Sequence, residues 1–267
     1  RERPGRGIGR RTASCRGDRA SGESMPRGRG GAGPGVILAR RGEMVDPAAS
    51  ISTTAAESVM KFAICQELFE GWEWERQCQA MASIGYTGIE LAPFTLASRI
   101  GDVSAARRQE LRKVAEDHGL TICGLHWLLA KTEGFHLTTD DAAVRRAASQ
   151  YICDLANACA DFGGTIMVFG SPGQRNLQPG VTRERAYANA AEVFRAATSV
   201  LADRGVTIAM EPLTPRETNF VNSCAEAVEL MQLVDHPNFA LHQDVKAMFS
   251  EPTPIPQLIA QYASCTR

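Results

Sequence analysis

The sequence predicts an α/β protein with a TIM (β/α)8-type barrel, of which about six βα units are present. From residue 60 onward, short apolar runs alternate with segments of helical periodicity. Four predicted helices stop at a glycine, and a strand-like run begins within a few residues. Glycine can close a helix in the left-handed conformation without a Cβ penalty. Strands separated by helices pair in parallel through right-handed crossovers.

The predicted strands are apolar on both faces, as expected where helices cover one side of a sheet and a barrel core fills the other. These strands span residues 61–65, 88–91, 120–125, 165–169, 206–210 and 239–244. The predicted helices carry apolar residues at three- and four-residue spacing. They span residues 74–84, 103–118, 141–162, 182–204 and 225–234, and a sixth begins near 255–262.

The number of units leaves one alternative fold open. A complete eight-unit barrel typically needs about 250 residues, and residues 60–267 fall short of that by roughly two units. An open, doubly wound sheet of six strands is the alternative. That fold usually carries a glycine-rich phosphate loop after its first strand, whereas residues 66–72 read QELFEGW. The barrel is therefore the favoured prediction.

Residues 1–59 are predicted to be a disordered or non-native N-terminal extension, and residues 60–267 are predicted to form the barrel domain. The extension is rich in Arg and Gly and poor in large apolar residues, so burial cannot offset its ordering entropy. We favour upstream sequence translated with the gene, with Met60 as the natural start. An Arg- and Ser-rich targeting peptide, which Glu2 and Asp18 disfavour, and a nucleic-acid-binding arm are the alternatives.

Composition narrows the class of protein. The formal net charge of -1 argues against a general nucleic-acid or membrane-surface binder. No apolar run approaches the length of about 18 residues that spans a bilayer. The 8 cysteines include no CxxC pair and no regular framework, which favours reduced, buried thiols in a cytoplasmic protein. We expect a small-molecule ligand, neither nucleic acid nor membrane as a partner, and possible homo-oligomerisation.

Two carboxylates follow strand-like runs, one βα unit apart. Glu211 follows the apolar run 206–210 and precedes Pro212, and Asp244 ends the run 239–244. In a parallel barrel the carboxyl ends of the strands face one shared pocket. Carboxylate oxygens suit Mg²⁺ or Mn²⁺, and a mixed site with histidine also suits Co²⁺ or Zn²⁺. Glu211 and Asp244 are thus predicted metal ligands, although strand-end acids often serve as helix caps or ion-pair partners.

Four other polar residues are predicted to bind a substrate in the same pocket. His126 ends the third strand and Glu90 the second, while Lys246 follows Asp244 closely. Asn219 lies on the loop after Glu211 and could hydrogen-bond a sugar hydroxyl. A hydrogen-bonded structural histidine and a solvated lysine are the alternatives for His126 and Lys246.

Several motifs together resemble the sugar phosphate isomerase/epimerase family, which has a xylose isomerase-like barrel. The resemblance covers the chain from residue 60 to its end, and no single motif would carry it. The motifs are GYTGIEL at 85–91, GLHW at 124–127, VFGSP at 168–172, EP at 211–212 with NFVN at 219–222, and LHQDVKAM at 241–248.

The resemblance implies a metal-dependent isomerase or epimerase of a sugar or sugar phosphate, acting by proton transfer through a metal-stabilised enediolate. In that family a Glu, an Asp, a His and a Glu after strands five to eight hold a divalent metal. Glu211 and Asp244 match the first two, and Glu211 would also be catalytic; Mn²⁺, Mg²⁺ or Co²⁺ is the implied cofactor, with Zn²⁺ possible. Ala247 stands where many ketose epimerases of the family carry a histidine.

The last two ligands of the family have no counterpart before Arg267. We therefore expect a barrel that is incomplete at its C-terminus, with weak metal binding and no activity of this fragment alone. An apurinic-endonuclease-like metal phosphodiesterase is one alternative, which the small number of histidines and the lack of a basic face in residues 60–267 disfavour. A non-catalytic, sugar-binding barrel is the other.

Overall fold

The computed structural model describes residues 60–267, and the predicted extension at residues 1–59 lies outside the described residues. Six strands form one parallel sheet in sequential order, each hydrogen-bonded to the next. A doubly wound sheet would reverse its strand order at a switch point, so the sequential order confirms the barrel-type prediction. The strands are β1 (Ala63–Cys65), β2 (Gly88–Leu91), β3 (Thr121–Leu125), β4 (Ile166–Phe169), β5 (Thr207–Met210) and β6 (Phe239–Leu241).

Helices follow each strand, and the six predicted helices lie within about two residues of their predicted bounds, whereas the short helix at Val245–Met248 was not predicted. Gly85 and Gly205 close two of them with φ of 102° and 65°, as the glycine pattern predicted. The helices are α1 (Trp74–Ile84), α2 (Ala105–Asp117), α3 (Ala142–Asp161), α4 (Arg183–Arg204), α5 (Cys224–Val234), α6 (Val245–Met248) and α7 (Ile255–Tyr262).

One predicted element is wrong in extent. The strand predicted at residues 239–244 ends at Leu241, and Asp244 is the N-cap of the short helix α6. Its two carboxylate oxygens accept hydrogen bonds from the backbone N–H groups of Lys246 and Ala247, each at 3.1 Å. An N-cap carboxylate satisfies donors that the first helical turn leaves free, which explains why the strand gives way to a helix here.

The main core lies between the sheet and the helices. Phe194 of α4 contacts Phe169 of β4 and Phe239 of β6, with ring centroids 5.2 Å and 4.7 Å apart. Cys153 and Cys159 of α3 are buried in this core, as predicted for structural thiols. Between residues 60 and 267, no helix is both long enough and apolar enough to cross a membrane.

A β-bulge sets which side chains of β3 face the inside of the barrel. Ile89 pairs with Ile122, but the next pair is Glu90 with Gly124, so β3 contains one extra residue at this point. Side chains alternate along a strand, and paired residues face the same side. The extra residue therefore places Gly124, and with it His126 two positions later, on the inner face that Glu90 occupies.

Candidate active site

An open cleft of about 320 Å³ lies at the carboxyl ends of the strands. This is the end where active sites of parallel barrels are found. The cleft is rich in carboxylates, and its lining has five acids against one lysine. It is lined by Cys65, Glu67, Glu90, His126, Trp127, Val168, Gly170, Pro172, Glu211, Leu213, Glu217, His242, Asp244 and Lys246.

One side of the cleft, here called the first wall, consists of Cys65, Glu67, Glu90 and His126 from the ends of β1 to β3. His126 is buried, and its Nε2 lies 2.8 Å from a carboxylate oxygen of Glu67. The Cys65 thiol donates to the Glu90 carboxylate at 3.7 Å. Burial, together with the charges of Glu90 and Glu67, raises the pKa of Cys65 to about 12. A thiol with so high a pKa is a poor nucleophile in this state.

The opposite side, the second wall, consists of Glu211, Glu217, Asp244 and Lys246. Glu211 follows β5, and its backbone N–H donates to the carbonyl of Phe169 on β4. Lys246 donates to Glu217, which lowers the pKa of Glu217 and raises that of Lys246. The positive charge of Lys246 is therefore already shared with an acid.

Glu211 has the most perturbed carboxyl group of the second wall. Burial and the nearby charge of Asp244 raise its pKa to about 7. Arg175, which is fully buried, opposes this shift by its positive charge, and its Nη1 donates to the backbone carbonyl of Glu211 at 2.7 Å. A carboxyl group that titrates near neutral pH can both accept and return a proton under physiological conditions.

Gly170 leaves the space that the Glu211 carboxylate occupies. A Cβ atom at position 170 would lie 1.7 Å from Oε2 of Glu211, a distance no side chain could tolerate. Across the cleft, Trp127 follows His126 with φ of 53° and remains largely exposed at the mouth. A left-handed backbone at a tryptophan is strained, and such strain is concentrated at ligand sites.

The structure brings five of the six predicted site residues together. Glu90, His126, Glu211, Asp244 and Lys246 all line the cleft. The sixth does not: Asn219 is exposed outside the lining, and its side-chain oxygen accepts the backbone N–H of Leu177 at 2.8 Å. In the structure Asn219 joins two loops outside the cleft, and its contact with a substrate stays a prediction.

Three functional candidates gave no signal in the sequence. Glu67 lies on the 3-10 turn Gln66–Phe69, Glu217 on the loop after β5, and Arg175 on the loop after β4. His242, which follows β6, also lines the cleft, and burial lowers its pKa. Loop residues have no periodicity that predicts the direction of their side chains. The one available signal was that Glu67 lies only two residues after the end of β1.

The donor groups of the cleft fit a divalent cation in chemistry. Mg²⁺ is commonly held by one or two carboxylates with water and substrate oxygens, which the Glu211 and Asp244 pair could provide. Each carboxylate oxygen of Asp244 keeps a free lone pair beside its capping bond. Among residues 60–267, however, the three-residue group whose donor atoms converge is Cys65, Glu67 and His126, on the first wall.

Comparison with known families agrees with this architecture. The profile of the family described as "Xylose isomerase-like TIM barrel" matches residues 78–264. The chain belongs to this family. The resemblance inferred from the sequence motifs is thereby confirmed, and the family assignment extends over both walls except for the β1 end.

Solved structures show the same xylose isomerase-like fold. D-psicose 3-epimerase from Clostridium cellulolyticum H10, crystallised with D-tagatose, superposes with a TM-score of 0.67 at 19% identity, over 78% of this chain and 71% of that one. An L-ribulose 3-epimerase gives 0.65 at 19% identity, over 78% and 68%. A family 2 AP endonuclease from Brucella melitensis gives 0.62 at 18% identity, over 78% and 77%. Because one fold here carries different activities, the function must be argued from the cleft.

Proposed function

We propose that the protein is a divalent-metal-dependent isomerase or epimerase of a sugar, with Glu211 as an acid–base residue. The observation that carries the proposal is the position of Glu211. Its carboxyl group has a pKa of about 7, lines the cleft beside Asp244, and occupies space that Gly170 provides. A proton-transfer group works best when its pKa lies near the working pH.

Glu211 would remove the proton from the carbon next to the sugar carbonyl. The buried Arg175 fixes the backbone from which the side chain of Glu211 extends. Protonation of the opposite face by a second acid would give an epimer, and return of the proton by Glu211 to the neighbouring carbon would give an isomer. His126, held by Glu67, lies on the other wall and could donate a hydrogen bond to a substrate hydroxyl.

Glu211 and Asp244 would hold the metal, with Mn²⁺, Mg²⁺ or Co²⁺ as the candidates. When bound, the metal supplies Lewis-acid polarisation of the substrate carbonyl. The five carboxylates and the engaged Lys246 favour an uncharged sugar over a sugar phosphate, because a phosphate would meet net negative charge. The family alone leaves this choice open.

Proton exchange with solvent tests the proposal directly. The full chain would be incubated in D₂O with MnCl₂, MgCl₂ or CoCl₂ and with ketopentoses, ketohexoses and their phosphates. NMR would follow deuterium incorporation next to the carbonyl, which reports proton removal even where net conversion is slow. We expect Glu211→Gln to reduce this exchange about 10²- to 10⁴-fold. Glu229→Gln, which alters a surface ion pair with Arg183, is the matched control.

Other outcomes favour the alternatives. If no sugar exchanges deuterium but a sugar raises the melting temperature, and Glu211→Gln preserves that shift, the protein is a sugar-binding barrel. Cleavage of abasic-site DNA that depends on added metal would indicate a phosphodiesterase. The acidic cleft disfavours this last activity, since a DNA backbone would be repelled.

A further inference from the structure

The first wall contains a group of three different donor atoms. Sγ of Cys65, a carboxylate oxygen of Glu67 and a ring nitrogen of His126 all lie within 4.8 Å of one another. All three residues line the open cleft, so the group is reachable from solvent. It uses neither Glu211 nor Asp244, and of its three residues only His126 has a role in the proposed function, as a hydrogen-bond donor to the substrate.

The fold explains why these atoms meet. β1 ends at Cys65, and the 3-10 turn Gln66–Phe69 carries Glu67 back over the strand end. The backbone N–H of His126 donates to the carbonyl of Leu91 at 3.0 Å, which fixes the histidine beside the end of β2. The bulge between β2 and β3 turns its side chain inward. The three positions are thus fixed by backbone structure rather than by flexible side chains alone.

The donor types are those of a zinc-type site. Zn²⁺ and Co²⁺ bind thiolate, imidazole and carboxylate, with metal–sulfur distances of about 2.3 Å and metal–nitrogen or metal–oxygen distances of about 2.0–2.2 Å. Two such ligand atoms at a tetrahedral angle lie roughly 3.5 Å apart. The three donor atoms here lie within 4.8 Å of one another, so small side-chain adjustments would bring them to that distance. Three protein ligands leave a fourth position for water or a substrate oxygen.

A plain hydrogen-bonded pair accounts for only part of this arrangement. The contact of His126 with Glu67 at 2.8 Å needs no metal. It does not include the thiol of Cys65 beside them, which donates to a further acid, Glu90, at 3.7 Å. With five acids and one lysine in the lining, a cation here would also relieve the excess negative charge.

We propose that Cys65, Glu67 and His126 form a second cation site that takes Zn²⁺ or Co²⁺. The site is separate from the Glu211 and Asp244 pair, and its open position faces the same cleft. On binding, the Cys65 thiol releases its proton to solvent and the thiolate coordinates the cation. A cation at this position would present a bound water or hydroxyl to a ligand from the wall opposite Glu211.

Cobalt(II) alone, titrated into the full metal-free chain under argon, is the probe. A thiolate ligand gives a near-ultraviolet charge-transfer band that carboxylate and imidazole ligands do not give. We expect this band to appear and saturate during the titration, also in the Glu211→Gln chain, and to be displaced by Zn²⁺. Cys65→Ser should abolish it, whereas Cys123→Ser should preserve it, because Cys123 is a half-buried thiol of β3 outside the cleft.

Further variants keep the test decisive. Glu67→Gln and His126→Asn should each weaken cobalt affinity at least about tenfold while the band remains. Glu211→Gln should leave both band and affinity unchanged, so failure of the proposed function would not affect this result. Circular dichroism would verify that each variant is folded. Absence of the band in the native chain, or its persistence in Cys65→Ser, would overturn the proposal.

Discussion

The two walls of the cleft are built differently, although both stand at the ends of parallel strands. The first wall brings together sulfur, nitrogen and oxygen donors within 4.8 Å. On the second wall two of the three carboxylates are already engaged: Asp244 caps α6, and Glu217 accepts from Lys246. The third carboxyl group of that wall, Glu211, has a pKa raised to about 7. The difference indicates that the first wall offers the mixed donor set of a thiolate-binding cation, whereas the second wall offers carboxylates alone, one of which is suited to move a proton.

Removal of Arg175 should give the largest effect and should act on the second wall alone. Arg175 is fully buried and donates to the backbone carbonyls of Glu211 and Val221. We expect Arg175→Met to lower the free energy of unfolding by about 2–4 kcal/mol, because buried acceptors lose a donor and Glu211 loses its counter-charge. Urea unfolding of both chains would measure this change in the free energy of unfolding.

Arg216→Met is the control for this substitution, because Arg216 lies exposed on the loop after β5. It should change the free energy of unfolding little. A loss of less than about 1 kcal/mol in Arg175→Met would mean that the second wall does not depend on this buried charge. Loss of the cobalt band in Arg175→Met would mean that the two walls are not independent.

The titration of Glu211 should make stability depend on pH. Its pKa is about 7 in the folded protein against an ordinary 4.5, so folding favours the protonated carboxyl. Relative to Glu211→Gln, the native chain should therefore be most stable below about pH 4.5 and lose about 1–3 kcal/mol as the pH rises through 7. Urea unfolding of both chains in EDTA at several pH values measures the difference. A difference that does not change with pH would contradict the raised pKa.

Substitution of Gly170 should weaken metal binding by the second wall, with a smaller change in free energy than the two preceding predictions. A Cβ at position 170 would displace the Glu211 carboxylate. We expect Gly170→Ala to weaken Mn²⁺ binding at least about tenfold, as measured by the free Mn²⁺ signal in electron paramagnetic resonance. Gly173→Ala is the matched control, since no atom lies within 4 Å of its added Cβ. Equal Mn²⁺ affinity in both variants would argue against Glu211 as a ligand.

Substitution of Lys246 should have the smallest effect. Lys246 is exposed, and water replaces its contact with Glu217 readily. We expect Lys246→Ala to leave the unfolding midpoint unchanged and to raise the pKa of Glu217, which NMR titration of the carboxyl groups would detect. A marked loss of affinity for sugar phosphates in this variant would instead show that Lys246 binds a phosphate.

The parts of the fold that follow a local pattern were predictable from the sequence. Helix and strand bounds follow apolar periodicity and glycine stops, and the prediction of Glu211 in the pocket followed from its place directly after a strand. Asp244 was placed in the pocket correctly but on the wrong element, because an acid after a strand and an acid before a helix look alike in sequence. Asp244 both caps α6 and lines the cleft, and this combination depends on the tertiary structure.

Residues on loops were not predictable in the same way. Arg175 would be read as a solvated loop arginine, yet it is fully buried. Asn219 was expected in the cleft, but it binds the backbone of Leu177 instead. Loop side chains take their direction from the packing of distant segments, which composition and spacing do not encode.

The bulge between β2 and β3 makes the first wall depend on a count of residues rather than on their identity alone. Deleting one residue between the bulge and His126, such as Leu125, would move His126 one position closer to Gly124, which pairs with Glu90, and so place it on the opposite face. His126 would then point to the helix layer while its chemical identity stayed the same. In an evolutionary lineage, a single-codon deletion could therefore silence this wall while every one of its polar residues remained in the gene.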